Sequence, residues 1–187
     1  MTTKEAGLVE TVKNGVMGTV KGSGDVAKAT VDTVSGVLSA TLKDAGSVGR
    51  SATAAIGHVA GGAIQGATEV GAHLGEAARG TVIGVLRGTK HVGTEAMDTI
   101  GHTAEAVIHH TAAVGGALEH AATGLVEGAI HSAKGIGVSA EDAASAAADG
   151  ALKAADRVGT AAVGTVRHAL TQTISGVKVV VKAPFKA

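Results

Sequence analysis

Nine histidines are the side chains in this 187-residue sequence whose type and spacing suggest chemistry. There is no cysteine, so a disulfide framework is excluded. His109, His120 and His131 follow one another at intervals of eleven. His58, His91, His102 and His168 form a second series at multiples of eleven, beside the first on a helical wheel. Residues eleven apart on one helix lie about 16 Å apart along its axis, too far to share a metal ion. His102-Thr103-Ala104-Glu105 is not a zinc-protease helix motif, and a phosphate loop ending in Gly-Lys-Ser/Thr is missing. Nothing fixes a Ser-His-Asp arrangement. The spacing therefore predicts no catalytic residue, no cofactor-binding residue and no metal ligand, and a protein that is not an enzyme. What it does allow is joint titration. An unperturbed imidazole gains charge near pH 6.5. A polar face carrying these seven histidines would become cationic in acid and hold anionic surfaces more tightly.

The spacing that orders the histidines orders the whole chain. Cut from Gly7, it divides into sixteen elevens without insertion or deletion, ending at Lys182. Eleven residues in three turns is about 3.67 residues per turn, the period of a nearly straight helix or of a right-handed supercoil. At about 98° per residue, positions two, three, six, nine and ten of each eleven fall side by side. Position three holds Val9, Val20, Val31, Leu42, Ile64, Leu86, Ile108, Ile130, Leu152, Val163 and Ile174. Position six holds Val12, Val34, Ile56 and Ile100. Position nine holds Val48, Val70, Val92, Val114, Ile136 and Val158. Charges collect on the opposite side, so the helix is amphipathic. Glu119 and Glu141 are the acidic exceptions on the apolar arc. Strict polar–apolar alternation is absent, which argues against strands.

A second period of 22 lies over the first. Gly49, Gly71, Gly93, Gly115, Gly137 and Gly159 recur at position ten, each after a β-branched residue. They read as places of close backbone approach between helices. The sequence thus predicts an all-α chain: residues 1–6 a polar lead, 7–182 the repeat region, 183–187 a basic and apolar tail. The repeat forms one long helix or a set of helical hairpins, with right-handed coiled-coil assembly available to it. Unbroken, the helix would extend about 260 Å. Candidate breaks are Gly22–Gly24, Gly61–Gly62 and Gly115–Gly116. Lys178, Lys182, Lys186 and Phe185 offer an anchor at an anionic interface or a docking point on a protein partner.

Composition bounds the function. With one aromatic residue and 29 glycines, the apolar face is built from Val, Ala, Gly and Thr. A glycine costs a helix about 1 kcal/mol relative to alanine. A lone helix of this composition is poorly stable and needs an apolar surface, another copy or itself to pack against. Formal net charge is zero, which gives no footprint for nucleic acid. No basic-then-apolar leader and no long uncharged window occur, so the expected location is cytoplasmic, peripheral to a membrane or lipid body.

The stretch GTVKGSGDVAKATVDTVSGVLSATLKDAG resembles the 11-residue repeat regions of perilipins and synucleins, which also combine Val, Ala, Gly and Thr with Lys and acidic residues. The likeness is best over residues 7 to about 50. It implies a non-enzymatic helix that lies on a lipid or other apolar surface, with buried apolar area adding along its length. The 22-residue glycines point instead to self-association into an oligomeric scaffold or tube. Such a tube would tether a complex to a membrane or carry a lipophilic small molecule such as a quinone. A third expectation, a desiccation protectant, fits less well with only 17% charged residues.

Overall fold

Helix dominates, but it is folded back on itself rather than continuous. The computed structural model describes residues 3–23, 25–45, 50–90 and 93–179. They form eight helices: α1 (Thr3–Ser23), α2 (Val26–Ala45), α3 (Arg50–Glu69), α4 (Leu74–Thr89), α5 (Gly93–Ala113), α6 (Leu118–Ile136), α7 (Ala140–Val158) and α8 (Thr160–Leu170). A short hairpin follows, β1 (Thr173–Ile174) and β2 (Val177–Lys178). No helix among the described residues is long and apolar enough to cross a membrane.

The turns explain the period of 22. Gly71 and Gly115 take φ of 65° and 67°, a left-handed conformation that glycine adopts without a Cβ penalty. At each, two backbone bonds close the helix end: Gly71 N–H to Thr68 O with Ala72 N–H to Ala67 O, and Gly115 N–H to Ala112 O with Gly116 N–H to Thr111 O. This is a Schellman cap, repeated after 44 residues. Gly137 (φ 74°) ends α6 in a related way, and Gly159 (φ 140°) separates α7 from α8. The expected role of these glycines is therefore corrected. A Cβ at Gly71, Gly115, Gly137 or Gly159 would meet nothing within 4 Å, so they are not close-packing positions. Gly93 opens α5, and Gly49 lies outside the described residues.

Because a turn falls about every 22 residues, alternate helices run in the same direction. α1, α3, α5 and α7 lie side by side in one layer. α2, α4, α6 and α8 form the other, and consecutive helices meet across the layers. Close approach occurs within a layer, at a different set of glycines. Gly80, Gly84 and Gly88 of α4 face Ala27, Val31 and Ser35 of α2, four residues apart on both helices. A Cβ on Gly80 would lie 2.6 Å from the Ala27 carbonyl oxygen, and one on Gly84 2.8 Å from the Val34 Cβ. Gly62 and Gly66 of α3 meet Val9 and Lys13 of α1. Gly124 of α6 meets Gly75 of α4, and Gly150 of α7 meets Gly101 of α5. Small residues four apart let helix backbones come together, as in membrane helix pairs. Gly61–Gly62 is therefore not a break: it lies inside α3, where both glycines serve contact with neighbours.

The apolar arc is turned inward. Val12, Val31, Val34, Ile56, Ile64, Leu86, Ile100, Ile108, Ile136 and Leu152 are buried; Val9, Val20, Leu42, Val70, Val114, Ile130 and Val163 are half-buried. Val48 and Val92 lie outside the described residues, and Val158, assigned to the arc, is instead exposed at the end of α7. Threonine joins the core by hiding its hydroxyl: buried Thr30, Thr81, Thr99 and Thr103 each donate to the carbonyl four residues earlier. The two exceptional acids also have an explanation. Glu119 and Glu141 sit exposed in the first turns of α6 and α7, where the helix dipole favours a negative charge.

The helical repeat stops before Lys182. At Thr171 the chain leaves helix and makes a two-residue hairpin over Ser175-Gly176, with Ile174 paired to Val177. Both turn residues have positive φ, as the tight hairpin requires. Ile174 is buried from a strand, not from a helix face.

Two kinds of helical glycine should respond oppositely to alanine. Gly36 is exposed inside α2 with nothing within 4 Å of a Cβ. Gly36→Ala should stabilise by about 0.5–1 kcal/mol. Gly84→Ala should destabilise by about 1–3 kcal/mol, because the inserted methyl overpacks the α2–α4 contact. Urea unfolding midpoints measure both.

Candidate functional site

On the outer side of the α1–α3–α5–α7 layer, α5 presents His102, Glu105, Ala106, His109, His110 and Ala113. The spacing of three and four places them on one helical face. With Thr53 and Gly57 of α3 and with Ala154, Arg157 and Val158 of α7, they line a groove of about 650 Å³. Ala106, Ala112, Ala113 and Ala154, too small to fill the space between three parallel helices, leave the groove open.

Its polar groups are held across helices. The Glu105 carboxylate accepts from Arg157 Nη1 and pairs with Lys153 Nζ at 3.4 Å. Lys153 and Arg157 are one turn apart on α7, so they grip one carboxylate of α5 from the same side. Beyond this bridge, Asp98, Asp142 and Asp149 line an adjoining hollow of about 380 Å³, which shares His102 and Glu105 with the groove.

His110 is half-buried. Its ring lies against α3, and a Cβ on Gly61 would stand 2.8 Å from Cε1 and Nε2 of the imidazole. Only glycine leaves room for the ring there. Burial pushes the His110 pKa below the ordinary histidine value. The neighbouring His109 charge also lowers it, a hydrogen bond with the Gly57 backbone raises it, and His58 lowers it further. His109 and His110 meet edge to face at 5.5 Å between centroids.

Of the histidines assigned to the polar face, His102, His109, His120, His131 and His168 are exposed and His58 is half-buried. His91 lies outside the described residues. The fold places His102 and His109 on the groove, and His58 near enough to His110 to lower its pKa. It stacks His120 of α6 on His73, the residue preceding α4, at 4.8 Å between centroids. His131 lies apart, in a hollow with Arg87 and Lys90 between α4 and α6. Among the described residues no group of three or more His, Asp or Glu is placed to hold a metal ion. Of the tail residues, Lys178 is exposed on β2, and Lys182, Phe185 and Lys186 lie outside the described residues.

Sequence periodicity missed His110 and the cross-helix ion pairs. The four-residue spacing Gly57–Gly61 was a visible signal that a neighbour approaches there. What approaches is 49 residues further on and follows only from the layering.

No protein-family model matches the chain, and no curated protein or solved structure is significantly similar to it.

The lowered His110 pKa fixes the sign of a pH effect. Below about pH 6.5 the unfolded chain binds a proton at this histidine and the folded chain does not. That contribution to stability is therefore present above pH 6.5 and is lost as pH falls toward the folded-state pKa. Urea titrations at successive pH values should show stability declining below pH 6.5. His110→Gln should flatten the decline by up to about 1.4 kcal/mol per pH unit, the limit for one proton. An unchanged slope in the variant would assign the pH dependence to other groups.

Proposed function

We propose that the protein is a non-catalytic helical scaffold whose apolar arc is satisfied by its own neighbouring helices and whose outer faces do the binding. In this reading the unit is 22 residues, two elevens, making one helix and one turn. Stacked units form a solenoid in which each helix contacts mainly those one and two places along. The observation that carries it is the inward direction of the arc. Among the described residues Val158 is the one exposed large hydrophobic side chain, so little apolar surface remains for lipid. A lipid-surface function would require the layers to open and give up these contacts.

α1 exposes Glu10, Thr11, Asn14 and Lys21, and α8 exposes Thr160, Thr165, Arg167 and His168. Polar faces of this kind offer little apolar surface for another copy to pack on. In this reading self-association through those faces is disfavoured, and the monomer is the functional unit.

Circular dichroism and light scattering of dilute protein without lipid test the reading together. The expected result is strong helicity, a mass of 18.0 kDa independent of concentration, and no flotation with neutral vesicles. A chain that is disordered until vesicles are added would replace the scaffold with a surface-binding helix. A stable oligomer would restore the assembled tube.

A further inference from the structure

We infer that the groove between α3, α5 and α7 is a binding site for a small amphiphile with one carboxylate and an apolar chain. The assignment rests on the scaffold reading, since it needs the layers closed. Three observations converge on it. The groove, about 650 Å³, is the size of a small-ligand pocket rather than of a surface dimple. Val158, with 44% of its surface exposed, lines it, so the exposed large apolar side chain among the described residues stands where an apolar chain would lie. Ala106 and Ala113 continue that apolar wall along α5.

The third observation selects the head group. Arg157 donates one N–H to Glu105, and no other ion pair or hydrogen bond of this side chain occurs among the described residues. Glu105 divides its charge between Arg157 and Lys153. A guanidinium has five donors in a planar fork, a geometry that matches a carboxylate by two parallel bonds. The remaining donors of Arg157, 60% exposed, open beside Val158. The head group and the start of the chain are therefore received by adjacent residues of α7, with the imidazoles of His102 and His109 completing a polar rim. A neutral amphiphile of the same length would keep the apolar contacts and lose the fork. A cationic one would meet Arg157 unfavourably.

Calorimetric titration of the full chain with decanoate, below its micelle concentration and at pH 7.5, tests this. Decanol and decyltrimethylammonium provide the neutral and cationic comparisons. Decanoate should bind one per chain and at least about tenfold more tightly than decanol, the difference expected for a charge-assisted pair. Arg157→Gln should remove most of that preference. Ala113→Leu, at an exposed position on the groove wall, should weaken decanoate and decanol alike by filling the space. Circular dichroism of each variant reports folding. If Arg157→Gln does not fold, the decanoate–decanol ratio of the parent and the effect of Ala113→Leu still decide. Equal binding of all three amphiphiles, or binding indifferent to Ala113→Leu, overturns the assignment. Folded, helical protein that ignores decanoate overturns the site and leaves the scaffold standing. Protein that is unfolded without lipid overturns both.

Discussion

Direct contact between parallel helix backbones two elements apart is the interaction on which this structure depends. α4 can lie against α2 only because Gly80, Gly84 and Gly88 offer no Cβ to the Ala27, Val31 and Ser35 backbone. The same arrangement joins α1 to α3 through Gly62 and Gly66, and α4 to α6 through Gly124. A conventional core fills the space between helices with large side chains. Here the space itself is narrowed until aliphatic side chains, many of them alanine and valine with some leucine and isoleucine, suffice to fill it. The single aromatic residue is then a consequence of the spacing, not a defect of the core. The helix propensity lost at each glycine is offset by dispersion along backbones in contact, each atom pair contributing about 0.1–0.2 kcal/mol.

Glycine serves two separate ends, and the distinction accounts for what could be read beforehand. Helical conformation, the amphipathic arc and the period of 22 are local, so they are legible in the residue pattern. The meaning of the period is not. Gly71 and Gly115 follow Val70 and Val114 and mark helix ends, where φ is positive and space is open. Gly80 and Gly84 are the close-approach glycines, and they obey a spacing of four that a wheel of eleven does not emphasise. An eleven-residue pattern that runs through a turn without interruption also conceals the turn. Seven reversals of direction then look like one long helix. The Schellman bonds at Gly71 and Gly115 show how little sequence a reversal needs when the cap is a Val-Gly pair.

The groove was less legible than the fold, for a related reason. Its polar residues belong to the polar side of an isolated helix, where His102, Glu105 and Arg157 read as a solvated face, and Val158 belongs to the apolar arc. Their proximity depends on an offset of about 50 residues between helices of one layer, as in the Glu105–Arg157 pair. No repeat of eleven or 22 residues announces that offset. It follows only once two helices and two turns are known to bring the chain back alongside itself. His110 shows the same dependence. Beside the apolar arc in sequence, it becomes half-buried because the neighbour it meets presents Gly57 and Gly61.

The small residues that permit close packing inside also shape the outside. Where α3, α5 and α7 turn their outer faces to solvent, the alanines between them leave a depression that leucine or phenylalanine would have closed. Large polar groups stand at its edge because the charges, excluded from the apolar space between the layers, occupy the outer faces. A bundle with a core of large side chains would hold its helices further apart and bring fewer side chains from three helices around one hollow. In this chain, recognition by an outer groove and cohesion by inner backbone contact both follow from the same choice of small residues. The physical tie between them is that Gly61 leaves the space in which the His110 ring lies against α3 and forms that side of the groove; a Cβ there would make the ring shift.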